Sequence, residues 1–368
     1  MAIGNIFLSF ASFSVRIYQV SDVENRFSTG NYIAFRGITI LLAFVIMIPY
    51  TLLTTSSISL IPPVLAYLLF KMDEAFCDVL YGIDQKYERM DYIGCSQFMR
   101  GVLVVLAFCL GLLIGKSLLT AFAAMFVCCF SMTLLYDLPH SRRFETINVS
   151  IQPRCAVDLF KTCLPVMLSA TLVGAVVSIA RQLFANQFGT TELGYYAAVA
   201  TPAVLIQAAS RYLYAPVLVP MAEKWDSGDT KGFRALFNQT VCLIAAAAAF
   251  ATFIVVSVSP IIFPLVYGED ITPYTNAALM MGVLMSTNCI AFVNFFIDSL
   301  VVCRDIRGSL LAVSTGFLLC LALSNPLEQS LHMHGINAVV ITSMLAILLV
   351  SFIKINRKSR QTNSERGI

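Results

Sequence analysis

Apolar runs of the length a bilayer requires recur from one end of this chain to the other. A helix needs about 20 apolar residues to cross the hydrocarbon core. Stretches of that order stand at about 1–15, 37–53, 57–72, 101–115, 117–136, 163–180, 194–220, 240–264, 277–303, 308–324 and 336–354. None alternates apolar and polar positions in the way a barrel strand must. The pattern predicts an all-α polytopic membrane protein with about 11 transmembrane helices, the first one short. The longest polar stretch in the middle of the chain is Asp137–Lys161, with two prolines and four basic residues. It separates five predicted spans from six, and so predicts two helical bundles, residues 1–150 and 151–368. Two bundles, one rocking against the other, are a recurring plan among transporters.

Composition agrees with the pattern. Of 368 residues 58% are hydrophobic and only 12% charged, against about 25% charged in soluble domains, so no soluble domain is expected. Charge placement adds an orientation. With the tail that carries Lys354, Arg357, Lys358, Arg360 and Arg366 in the cytoplasm, the basic residues collect in cytoplasmic loops. Only Lys116, Arg181 and Arg211 fall elsewhere. This arrangement puts Met1 outside; one further helix ahead of it would give twelve spans with both termini inside. Two readings stand, a genuine eleven-span chain or one whose first helix is missing.

Scattered basic residues argue against a nucleic-acid partner. The 11 cysteines form no Cys-x-x-Cys pair and sit mostly in apolar runs, as packing residues do. His332 and His334 are too few for a metal site. No cofactor is called for, and no phosphate loop for ATP is present. Gly111-Leu-Leu-Ile-Gly115 fits a helix-packing pattern that is common by chance. Pro62-Pro63 either kinks or starts a helix.

Ionisable residues at membrane depth are costly and mark candidate sites. Arg211 lies in AASRYLYAP, in a predicted span that also holds Gln207 and Ser210. It either faces protein or water, or snorkels to lipid phosphates. Arg181 closes a predicted helix on the outer side, binding a ligand or complementing the helix dipole. Asn294 and Asp298 share one helix face at i, i+4. Asp298 either pairs with Arg304 or Arg307, or binds a coupling cation. Glu74 and Asp78 are also at i, i+4, and either repel to form a proton site or extend a helix into the cytoplasm near Lys71, Lys86 and Arg89.

Four segments carry a more specific signal. They are Arg16–Arg36 (RIYQVSDVENRFSTGNYIAFR), Glu74–Gly101 (EAFCDVLYGIDQKYERMDYIGCSQFMRG), Arg181–Ala198 (RQLFANQFGTTELGYYAA) and Pro216–Phe233 (PVLVPMAEKWDSGDTKGF). In this order they resemble the oligosaccharide flippases, the Wzx-like polysaccharide transporters of the MATE-like MOP exporter superfamily, which also holds multidrug extruders and the lipid II flippase. The resemblance implies that any missing piece is the first helix. It implies a bacterial inner-membrane protein that moves an undecaprenyl-diphosphate-linked oligosaccharide for O-antigen, capsule or exopolysaccharide assembly, driven by an ion gradient. Partners would be the lipid-linked oligosaccharide, the bilayer and other polysaccharide-assembly membrane proteins.

A diphosphate headgroup asks for arginine, whose planar fork matches phosphate oxygens. Arg211, Arg181, Gln207, Arg16 and Arg36 are then the expected headgroup contacts, and Asp298, Asn294, Glu74 and Asp78 the expected coupling-ion residues. Three alternatives remain. A cation-coupled multidrug extruder would want acids deep in the membrane, which the hydropathy pattern shows to be few. A membrane-embedded glycosyltransferase or polymerase would want larger aqueous loops. A non-transporting remnant or assembly partner would fit a missing first helix.

Overall fold

The computed structural model describes residues 2–22, 24–54, 58–145, 148–268, 274 and 276–365. Among them the backbone is helical almost throughout, and no strand occurs. The chain begins with α1 (Ala2–Ser12) and α2 (Val15–Ser21), split where Phe13 and Ser14 turn to φ of 45° and 51°. Then come α3 (Thr29–Thr54), α4 (Ile61–Lys86), α5 (Met90–Gly115), α6 (Leu118–Met132) and α7 (Leu138–Ser141). The second part holds α8 (Pro153–Phe188), α9 (Thr190–Tyr214), α10 (Leu218–Ser227), α11 (Thr230–Tyr267), α12 (Ala277–Val302), α13 (Ile306–Leu331) and α14 (Met333–Glu365).

Among the described residues nine helices are long and apolar enough to cross a membrane, and the protein is a multi-pass membrane protein. Two expected spans are built differently. The run 1–15 is the short α1 and the break after it. The run 57–72 is only the first part of α4, which goes on to Lys86 and carries Lys71, Asp73, Glu74, Asp78 and Asp84. The prolines at 62 and 63 occupy its first turn, where a missing N–H costs nothing, so they start the helix.

Contacts divide the chain into two compact units, Met1–Met167 and Leu168–Ile368. The division falls inside α8, because Leu159, Cys163 and Met167 pack with Phe13, Tyr32, Val79 and Ile83 in the first unit. That unit is built around α4, which touches α1, α2, α3, α5, α6 and α7. Lipid is as apolar as leucine, so packing here rests on close approach rather than on escape from water. A Cβ on Gly111 would lie 2.7 Å from the Ala121 Cα, so the Gly111-x-x-x-Gly115 pattern is used, holding α5 against α6.

The second unit is built around α12, whose apolar window is 61% buried. Val176 and Phe184 of α8, Val199 of α9, Val283 and Val293 of α12, Val313 of α13 and Ile336 and Ile347 of α14 form its core. Helix α11 is its opposite, with 6% of its window buried and Phe250, Phe253, Ile261 and Leu265 exposed, the surface a lipid-facing helix presents.

Candidate functional site

The buried charge of the first unit gathers around one helix, α4. From α4 come Asp73, Asp78, Asp84 and Gln85, of which Asp73, Asp84 and Gln85 are buried. Two groups form around them.

In the first group Arg36 of α3, fully buried, donates from Nη2 to Asp78 Oδ2 at 2.8 Å and from Nη1 to the Ala11 carbonyl at 2.9 Å. That carbonyl lies in the last turn of α1, where helical acceptors have no intrahelical donor. Thr39 donates to the same oxygen at 2.8 Å. Arg16 of α2 directs Nε and Nη2 to Gln85 Oε1 at 3.0 and 2.8 Å, and its Nη1 lies 3.5 Å from Asp78 Oδ1. Two guanidiniums thus share the Asp78 carboxylate, and Asp84 lies within electrostatic reach of Arg16. The side chains of Arg16 and Asp78 are 18% and 30% exposed, so the outer edge of the group is reachable.

In the second group one guanidinium meets two carboxylates. Arg100 of α5 bridges Asp73 of α4 at 2.7 Å and Asp137 at 2.9 Å, with both carboxylates buried. Its Nη2 also contacts Thr133 and the Cys77 sulfur. Thr133 donates to Asp73 at 2.5 Å, and the Cys77 thiol to Asp137 at 3.2 Å. Thr133 and Asp137 bound a single π turn between α6 and α7. Its cause is Pro139, which has no N–H to give Leu135 and whose ring needs room there; Leu138 bonds back to Thr133 instead. The turn leaves Thr133, Asp137 and Ser141 on one buried side, and Ser141 donates to Asp84 at 3.0 Å.

These placements refine several expectations. Asp78 is paired with Arg16 and Arg36 rather than with Lys86 or Arg89, and the extension of the helix beyond residue 72 is the central element of its unit. Glu74 pairs with Lys71 at 2.6 Å and is separated from Asp78 in role. Asp137 belongs to the helical end of α6–α7, not to the polar linker. Cys77 meets charged groups, Arg100 and Asp137, as well as its apolar neighbours Tyr81 and Ile93.

In the second unit Asp298 of α12 is buried beside the Tyr214 hydroxyl, within the electrostatic reach of Arg211. The expected pairing with Arg304 does not form: Arg304 binds Asp226 at 2.7 Å. Arg211 is exposed on α9, with Gln207 half-buried one turn before it and Asn294 half-buried on α12. Arg181 is not a helix end, since α8 runs on to Phe188 and breaks at Gly189, φ 95°. Its guanidinium lies 5.6 Å from the Tyr196 ring centroid, and the Tyr196 hydroxyl donates to Asn337 Oδ1 at 2.7 Å. Gly282 admits this pair, because a Cβ there would come within 2.8 Å of Asn337 Nδ2.

Sequence reading passed over Arg100, Asp73, Asp137 and Glu328. For the first three a signal exists: charged residues at helical spacing inside otherwise apolar helices. Two loop features of the four segments are structural. Asp22 orders the α2–α3 connection, accepting from the Arg26 and Phe27 N–H groups and from Tyr32. Asp229 caps α11, accepting from the Gly232 N–H at 2.8 Å and from Lys224 at 3.0 Å, which together hold its carboxyl below the usual carboxylate range.

No protein-family model matches the sequence, and no curated protein matches it. Solved structures do. Over 99% of this chain and 87% of the other, it superposes on the MATE transporter VcmN of Vibrio cholerae with TM-score 0.78 and 14% identity. An outward-facing multidrug resistance MATE family transporter of the MOP superfamily gives TM-score 0.80 at 10% identity, covering 98% of this chain and 86% of that one. The eukaryotic MATE transporter AtDTX14 gives 0.69 at 12% identity, over 98% and 87%. At these identities the likeness is one of fold, and the chain has the fold of the MATE transporters.

Proposed function

We propose that this protein is an ion-coupled exporter that carries a lipid-linked oligosaccharide across a bacterial cytoplasmic membrane, with its C-terminus in the cytoplasm. The observation that carries the reading is the Arg16–Arg36–Asp78 group. Two guanidiniums gather at Asp78, Arg16 among them partly exposed, and an arginine fork suits the phosphate oxygens of an anionic headgroup. In the second unit Arg211, exposed with Gln207 a turn away, is a separate candidate for headgroup contact. The resemblance of the four segments to oligosaccharide flippases supports the same cargo.

A second reading, extrusion of cationic drugs, is favoured by a different observation. Acids at membrane depth are more numerous than hydropathy suggests, and Asp73 with Asp137 outnumber the single Arg100 between them. The MATE fold is equally compatible with this cargo.

Deleting the gene and quantifying undecaprenyl-diphosphate-linked oligosaccharides by mass spectrometry separates the readings. The flippase reading expects a complete repeat unit to accumulate and to be cleared by re-expression, but not by an Arg16→Gln form. An unchanged lipid-linked pool with heightened sensitivity to cationic drugs would establish the second reading. Accumulation of a shortened sugar would point to a glycosyltransferase and overturn both.

A further inference from the structure

One acid in the second unit has no hydrogen-bond or ion-pair partner among the described residues. Glu328 lies in the last turn of α13, and its side chain is completely buried. Neither carboxylate oxygen accepts a hydrogen bond, and among the described residues no cation is paired with it. The packing around it is tight: a Cβ on Gly335 of α14 would come within 2.6 Å of the Glu328 Cα. Around it the chain is still helical, since His332 N–H bonds to the Glu328 carbonyl at 2.9 Å and closes α13.

An ionised carboxylate buried without partners is among the costliest arrangements in a protein, several kcal/mol even after relaxation. Its position at a helix C-terminus makes this worse, because the free carbonyls there repel negative charge. The packed helices bring few charged or ionisable groups to this end. Among the described residues they include Arg181 of α8, which stands on Tyr196 of α9, Glu192 in the first turn of α9 with Tyr274 bonded to it, Cys320 of α13 itself, and His332 and His334 where α14 begins. Helix α12 contributes none there. Cys320 and Ser324 are engaged with each other one and two turns before Glu328.

We propose that Glu328 is a proton-binding site of this protein: in the conformation seen here it holds a proton as a neutral carboxylic acid, and gives it up when the α13–α14 end opens to water. The coupling role rests on the export reading above; the bound proton does not. No other group in the second unit combines complete burial with two unpartnered acidic oxygens.

Infrared spectroscopy of the purified full-length chain in lipid nanodiscs tests this directly. The expected result is a protonated-carboxyl C=O band at neutral pH that disappears in Glu328→Gln and persists in Glu192→Gln, a control acid at the second-unit surface. Uniform ¹³C-glutamate labelling must shift the same band in the unsubstituted protein, which keeps the test valid should E328Q fold poorly. A spectrum identical in E328Q, or a band that ignores the glutamate label, shows Glu328 to be ionised and overturns the proposal. In proteoliposomes E328Q is expected to lose the dependence of export on a pH gradient. If the band behaves as expected but no cargo moves in any form, the proton site stands and the export reading fails.

Discussion

At the scale of single residues, the charged groups at membrane depth answer to one rule: removing one member of a buried pair costs more than removing both. Arg36 has no exposure, and Asp78 is its only anionic partner. Asp78→Asn strands that guanidinium, and the expected loss of stability is about 3–5 kcal/mol, read as a lowered melting temperature in detergent. Adding Arg36→Met to the same chain is expected to recover most of the loss. A double variant no more stable than D78N would show that Arg36 does not depend on this carboxylate. Arg16 differs, being partly exposed and held mainly by neutral Gln85. Arg16→Gln is expected to leave the melting temperature nearly unchanged while reducing clearance of the lipid-linked pool.

At the scale of elements, helix boundaries here are made by specific devices. Asp229 caps α11, and its depressed titration sets a sign. A carboxyl whose native value lies below its unfolded value of about 3.9 stabilises above that value and loses its effect as pH falls through the native one. The protection factors of the Gly232 and Phe233 amides, exchange rates corrected for their intrinsic pH dependence, are therefore expected to stay flat from neutral pH down to about 5 and to fall only below about 4. Asp229→Ala is expected to show the low protection at every pH. The α5–α6 contact depends on the absence of a side chain at Gly111. Gly111→Val is expected to cost about 1–3 kcal/mol by overpacking, measured by unfolding in detergent. The same change at Gly101, where a Cβ would meet nothing within 4 Å, is the control and should cost far less.

At the scale of the whole molecule, hydropathy made most of the architecture legible, because burial in lipid is a one-dimensional property that a linear pattern records. It failed where charge enters a helix. Lys71 through Lys86 read as a chain leaving the membrane, whereas α4 continues through them as the centre of its unit. The ion pairs that permit this join residues 27, 37 and 42 positions apart, a distance no local pattern encodes. Glu328 was hidden for a related reason. The apolar run in α13 stops at about 324, so the acid reads as the start of a loop, although the helix continues to Leu331. The candidate arginines were visible as residue types, but not their occupants: Asp78 on Arg36, Tyr196 under Arg181.

The Arg36–Asp78 pair also sets a condition on how the protein is made. Its two members are synthesised 42 residues apart, on successive helices. A lone arginine raises the cost of transferring a helix from the translocon into lipid by up to about 3.5 kcal/mol at mid-span. Helix α3 therefore gains by staying beside the translocon until Asp78 has left the ribosome, so that its arginine is matched before the helix is released into lipid.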